Sequence, residues 1–285
     1  AYPVWDLEDM EASYRLLKLW EAPDRDAFVA AHAAEVRAIA TRGDLGASAA
    51  LMRALPNLEV VACYGVGTDA IDLGYAKNAG IRVTNTPGVL TADVADMAIG
   101  LLLATARRIP QADTYVRVGN WAKANMPLVT RVSGKAVGIV GMGRIGAAVA
   151  KRLTGFEADI AYFGRQRRED LRYAFIGDLV GLAQRSEFLI VTLAGGESTK
   201  GIIGAEVLEA LGPDGILINV SRGSTVDEPA LLAALEAGRI KGAGLDVFWD
   251  EPNIDARFKV LGNVVLQPHH ASGTVETRKA MGQLV

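Results

Sequence analysis

Residues Lys135–Val149 read KAVGIVGMGRIGAAV, and the order of elements in that stretch decides the fold. Ala136–Val140 is an apolar run that reads as a strand, and Arg144–Leu153 has the composition of a helix. Between them lies the pattern Gly141-x-Gly143-x-x-Gly146. Gly141 permits a tight turn, Gly143 lets a pyrophosphate approach the backbone, and Gly146 lets the helix pack close to the strand. Phosphates would then meet the first helical turn, at Arg144 and Ile145, where N–H groups and the helix dipole favour anions. A glycine pattern alone is a weak signal. Here strand, turn and helix stand in the order that a dinucleotide cradle requires.

The next strand, Asp159–Phe163, bears on which dinucleotide is bound. An NAD site usually ends this strand with Asp or Glu, which accepts hydrogen bonds from the ribose hydroxyls. Gly164-Arg165-Gln166-Arg167-Arg168 follows instead. Guanidinium groups suit a 2′-phosphate that a carboxylate would repel. The expectation is NADP(H), with NAD(H) second, and with Gly164, Arg165, Gln166 and Arg168 as contact residues.

Further along, Phe188–Thr192, Gly215–Val220, Gly242–Val247 and Val264–Gln267 read as strands, with helices at Ala205–Leu211 and Glu228–Ala237. Upstream, Val36–Thr41, Leu58–Cys63 and Ile81–Asn85 read as strands, and Ser48–Leu55 and Leu73–Asn78 as helices. Alternation of this kind implies parallel sheets with covered faces, an α/β fold. A chain of 285 residues is long enough for two cores. Its longest apolar run, Met97–Ala106, is too short to span a bilayer. It falls within Thr91–Arg108, expected as a buried helix at the junction of two domains.

The single cysteine, Cys63, excludes an intrachain disulfide and suits a reducing, cytoplasmic setting. A net charge of -3 with mixed signs gives no pull toward nucleic acid or an anionic membrane, so a small-molecule partner is expected. AYPVWDLEDM, the first stretch, lacks the basic start and apolar run of a signal peptide. The chain opens without Met and stops at Val285, so both ends are expected to continue.

Several separated motifs join the glycine-rich turn: Tyr64-Gly-Val-Gly-Thr-Asp69, Asn219-Val-Ser-Arg-Gly223, Gly244-Leu-Asp-Val-Phe248 with Glu251-Pro252, and Pro268-His269. With them the chain resembles the D-isomer-specific 2-hydroxyacid dehydrogenases, nearest to the NADPH-preferring glyoxylate/hydroxypyruvate reductase branch. The resemblance covers nearly the whole chain. It implies Rossmann-like and flavodoxin-like parallel-sheet lobes separated by an active-site cleft. Residues 1–88, completed by 268–285, would bind substrate, and 89–267 would form the dinucleotide-binding domain. A homodimer through the nucleotide lobe is also implied. Catalytic Arg, Glu and His fall on Arg222, Glu251 and His269. One departure is Ala194-Gly195-Gly196, where many members carry a proline.

Reduction of a 2-keto acid requires that the carboxylate be held, the keto oxygen polarised and a proton supplied. Arg222, past the end of a parallel strand, can hold carboxylate and keto oxygen with one fork. His269 is the acid, and a neighbouring Glu251 would favour its charged form and fix the ring. Val66 and Gly67 stand in a turn that reads equally as a backbone carboxylate clamp or as a plain turn. Thr91, Val220 and Asp246 are expected at the cofactor, Asp246 on the nicotinamide carboxamide. Trp121 reads either as a limit on substrate size or as a core residue, and His32 as a solvated helix residue.

Three other functions bear on the same residues. A dinucleotide-sensing binding protein or corepressor could carry the same fold. Formate oxidation would place Gln where Glu251 stands. A zinc site on His269 and His270 lacks a third ligand at suitable spacing, so no metal is expected.

Overall fold

The structure, a computed structural model, describes residues 2–285. The chain divides into two compact units, one running to Leu90 and resumed by Ser272–Val285, the other comprising Thr91–Ala271.

The smaller unit is built on β1 (Ala38–Arg42), β2 (Val60–Tyr64) and β3 (Arg82–Thr84), all parallel and in that order. Val61 and Cys63 of β2 are fully buried among Met52, Leu55 and Ile71. The helices Ala49–Arg53 and Leu73–Asn78 are capped by Ser48 and Asp72, whose side chains accept the Leu51 and Tyr75 N–H groups. Two further helices, Val4–Ser13 and Val275–Leu284, belong to this unit. The Tyr64 hydroxyl donates to the Arg278 carbonyl at 2.7 Å, and Thr277 donates to the Val89 carbonyl at 3.3 Å. Gly282 lies against Asp6 so closely that a Cβ would stand 1.9 Å from its carboxylate. Burial raises the Asp6 pKa. His32, expected in solvent, is half-buried with its ring 4.7 Å from that of Phe28.

The larger unit carries β4 (Ala136–Val140), β5 (Asp159–Phe163), β6 (Ala174–Phe175), β7 (Phe188–Val191), β8 (Ile216–Asn219), β9 (Gly242–Leu245) and β10 (Val264–Leu266). They form one parallel sheet in the order β10-β9-β8-β7-β4-β5-β6. From β4 the chain builds outward to β6, then returns to place β7 on the other side of β4. That reversal is where open α/β sheets bind ligands, at the carboxyl ends of the strands. Every residue of β7, β8 and β9 is buried, as expected of strands covered on both faces. The helix Thr91–Ala106 buries Ala95, Ala98, Leu101 and Leu102. Its close approach explains the composition of β9: a Cβ on Gly244 would stand 2.8 Å from the Thr105 hydroxyl.

Residues 268–271, expected to complete the substrate lobe, cluster with the larger unit. The reason is local. His269 donates its N–H to the Asp246 carbonyl at 2.8 Å, and the next two amides bond to the Asp246 side chain.

Candidate active site

The turn after β4 has the features its glycines predict. Gly141 adopts φ +100°, open to glycine and rarely to other residues. A Cβ on Gly146 would lie 2.1 Å from the Gly141 carbonyl oxygen, so only glycine lets the helix start this near the strand. Nothing lies within 4 Å of a Cβ placed on Gly143, which leaves open space over the backbone. Gly143 precedes the helix Arg144–Leu153 and provides no side-chain cap, so the first-turn N–H groups face that space without a local acceptor. The Thr192 hydroxyl ties the Gly141 carbonyl at 2.6 Å. Val220 is buried just past β8, and Thr91 begins its helix.

In the loop after β5 the arginines take different parts. Arg168 donates to Asp170 through Nε at 3.0 Å and to the Met142 carbonyl at 3.0 Å. It is a clip between this loop and the glycine-rich turn. Arg167 pairs with Glu169 at 3.3 Å. Arg165, next to Gly164 and Gln166, is exposed and has no partner among the described residues. Its fork alone of the three is unengaged by protein.

Arg222, Glu251 and His269 all lie in the larger unit. Arg222 follows β8, and its backbone is held by the motif around it. Asn219 donates to the Arg222 carbonyl at 3.1 Å and Thr225 donates to it at 2.7 Å. Asn219 also accepts the Ser221 N–H and hydroxyl. Gly223 is pressed onto the Phe248–Trp249 peptide, where a Cβ would meet backbone atoms at 2.0 Å. The buried Glu228 accepts the Trp249 N–H, while the Trp249 indole donates to the Val226 carbonyl at 2.7 Å. These ties fasten the segment carrying Arg222 to the segment carrying Glu251.

The Glu251 carboxylate accepts the Phe248 N–H at 2.8 Å with one oxygen and meets His269 Nδ1 at 2.6 Å with the other. Burial would raise its pKa. The His269 hydrogen bond, the Phe248 N–H and the charges of His269 and Arg222 outweigh burial and hold it below the usual carboxylate range. Because the folded value is lowered, this carboxylate stabilises the fold above the ordinary carboxylate pKa. That contribution is lost as pH falls through the folded value. Glu251→Gln should therefore lower the Tm near neutrality, and the gap to the unmodified chain should close with acidification. Melts from about pH 7 down to about pH 3, across the carboxylate range, check this.

His269 sits at φ +50°, in the left-handed region where a non-glycine residue costs about 1–3 kcal/mol. The strain persists because the residue is held at both ends, by the Asp246 carbonyl on its N–H and by Glu251 on its ring. Asp246 itself is buried, with its two oxygens on the His270 and Ala271 amides at 2.7 and 3.0 Å. Burial raises its pKa against those two hydrogen bonds. Sequence reasoning missed this anchoring of the histidine loop, and it missed Glu228. His270 is exposed next to the strained residue. Trp121 is exposed on a single helical turn, which removes the core reading. In the smaller unit, Val66 and Gly67 follow β2, and neither N–H has an acceptor among the described residues.

The family model described as "D-isomer specific 2-hydroxyacid dehydrogenase, NAD binding domain" matches residues 99–271. A glyoxylate/hydroxypyruvate reductase A of Arabidopsis thaliana is 48% identical over 97% of this chain and 88% of its own. A hydroxyphenylpyruvate reductase of Plectranthus scutellarioides is 48% identical over 98% of this chain and 89% of its own. Among solved structures, an NADPH-dependent glyoxylate/hydroxypyruvate reductase of Sinorhizobium meliloti, in complex with NADP and malonate, superposes with a TM-score of 0.91. It is 44% identical and covers 99% of this chain and 88% of that one.

Proposed function

Because the chain belongs to the D-isomer-specific 2-hydroxyacid dehydrogenase family, we propose that it reduces a small 2-keto acid, such as glyoxylate or hydroxypyruvate, to the D-2-hydroxy acid with NADPH. The observation that carries this reading is the Glu251–His269 pair, a ring held by a carboxylate in a strained backbone.

The glycine-rich turn fits a dinucleotide: open space over Gly143 and an uncapped helix start suit a pyrophosphate. Gly141, Gly143, Arg144, Ile145 and Gly146 would hold it, with Gly164, Arg165 and Gln166 at the adenosine end and Thr91, Val220 and Asp246 toward the nicotinamide. Bound NADPH supplies the hydride. Glu251 occupies Nδ1 of His269, which leaves Nε2 to carry a proton to the keto oxygen. Arg222 holds the keto oxygen and the carboxylate, and its positive charge favours the negative charge that develops as hydride arrives. Val66 and Gly67, in the smaller unit, would supply backbone N–H groups to a substrate carboxylate.

The test is initial rates on a panel of 2-keto acids, each with NADPH and with NADH. A preference for NADH would overturn the coenzyme assignment, and negligible turnover throughout would return the chain to the binding-protein reading. Since Arg165 has the unengaged fork, Arg165→Ala should raise the KM for NADPH about tenfold or more, the scale of a lost charge-assisted hydrogen bond. The KM for NADH should hardly move, and the Arg165→Ala kinetics with both coenzymes check this.

A homodimer through the larger unit completes the proposal. Ile109, Val116, Val118 and Leu128 are large apolar residues exposed along Ile109–Arg117 and the segment after it. No helix among the described residues is long and apolar enough to cross a membrane, and a cytoplasmic setting is proposed.

A further inference from the structure

Three consecutive carbonyls in the loop after β2 are tied down from behind. The Gly65 carbonyl accepts the Thr86 N–H at 2.9 Å. The Val66 carbonyl accepts Asn85 Nδ2 at 2.9 Å, and the Gly67 carbonyl accepts the Cys63 thiol at 3.4 Å. Thr86, fully buried, also takes the Gly65 N–H on its hydroxyl at 3.1 Å, so it grips that residue on both sides. Gly65 adopts φ +147°, which residues with side chains rarely do.

The consequence follows from the planarity of the peptide. In a trans peptide the carbonyl and the next N–H point in opposite directions. Tying the Gly65, Val66 and Gly67 carbonyls therefore turns the Val66, Gly67 and Thr68 N–H groups away from the residues that hold them. None of these three N–H groups meets a protein acceptor among the described residues. Successive amides left open in this way bind anions. A loop already fixed in that state avoids the ordering cost that a mobile one would meet on binding.

We propose that Asn85 is a positioning residue for the substrate carboxylate: with Thr86 and Cys63 it holds the Val66, Gly67 and Thr68 amides as a preformed anion clamp. The inference rests on the reading of Val66 and Gly67 as substrate-binding residues. It adds Thr68 as a third donor and names the side chains that aim all three. Asn85 and Cys63 meet the loop at the Val66 and Gly67 carbonyls, so they act on the carboxylate through the backbone and take no part in proton or hydride transfer.

The experiment combines kinetics with amide NMR on the full chain loaded with NADP, using malonate as a dicarboxylate probe and glyoxylate as substrate. In the unmodified chain, malonate should shift the Val66, Gly67 and Thr68 amide resonances. Asn85→Ala should raise the glyoxylate KM and the malonate Kd about fivefold, the effect of one neutral hydrogen bond. Its kcat should stay within about twofold and its NADPH KM should not change, since a positioning hydrogen bond here acts on binding alone. Cys63→Ala should weaken malonate in the same direction, and Cys63→Ser, which restores a donor, should recover part of the loss. If Asn85→Ala fails to fold, the cysteine pair carries the test. Should the three amides ignore malonate, the clamp reading itself falls. Should they respond while the variants bind malonate and glyoxylate like the unmodified chain, the clamp stands and the role of Asn85 and Cys63 is overturned.

Discussion

His269→Gln is expected to lower kcat for 2-keto acid reduction by about 10²–10⁴-fold, the range for removing a general acid. Gln can still accept or donate a hydrogen bond toward Glu251, but it has no titrating nitrogen to pass a proton onward. NADPH affinity should persist, because no atom of His269 belongs to the glycine-rich turn or to the Arg165 loop. His270→Gln is the control. Its backbone N–H serves Asp246 at 2.7 Å and survives the substitution, so its kcat should stay within about twofold. Single-turnover rates with premixed enzyme and NADPH separate the chemical step from binding. If His270→Gln loses turnover and His269→Gln does not, the acid has been placed on the wrong ring.

Gly223→Ala is expected to cost about 10²-fold in kcat although Gly223 has no side chain to contribute, since misplacement by about 1 Å has that effect. The added methyl would meet the Phe248 carbonyl at 2.0 Å, and the obstacle is backbone, which cannot rotate aside. One of the two segments must move. If the 248–251 segment yields, Glu251 loses its Phe248 N–H and its angle to His269; if the 222–223 segment yields, Arg222 shifts. Either displacement separates groups whose charges now act on one another. NADPH titration by fluorescence should give a nearly unchanged Kd while kcat falls. Unchanged turnover would mean that this peptide stacking does not set the catalytic alignment.

The sequence was most readable where interactions are local. β4, β5 and the helix Arg144–Leu153 have the same bounds in the structure as in the sequence reading, because apolar strands and a glycine-rich turn specify their own backbone. Arg222, Glu251 and His269 stood out as motif residues, but the groups that align them did not. Asp246 reaches amides 24 and 25 residues away, and Glu228 reaches one 21 residues away. Pairings of that span leave no period in a sequence. Arg168 is a different case. Its partner Asp170 is visible two positions on, so an acid already stood within reach of that guanidinium. The Asn85–Thr86 ties to the Val66 loop join two strand ends of one sheet and become apparent only when β2 and β3 are paired.

The return of the chain to its first unit governs the order in which the protein can be completed during synthesis. The seven-stranded sheet draws only on residues 91–271 and can close as soon as those have left the ribosome. The three-stranded unit cannot. Tyr64 must wait for Arg278, 214 residues later, and Asp6 stays uncovered until Gly282 arrives. The half made first is therefore finished last, held open as a nascent chain while the hydride-handling half folds between its two parts.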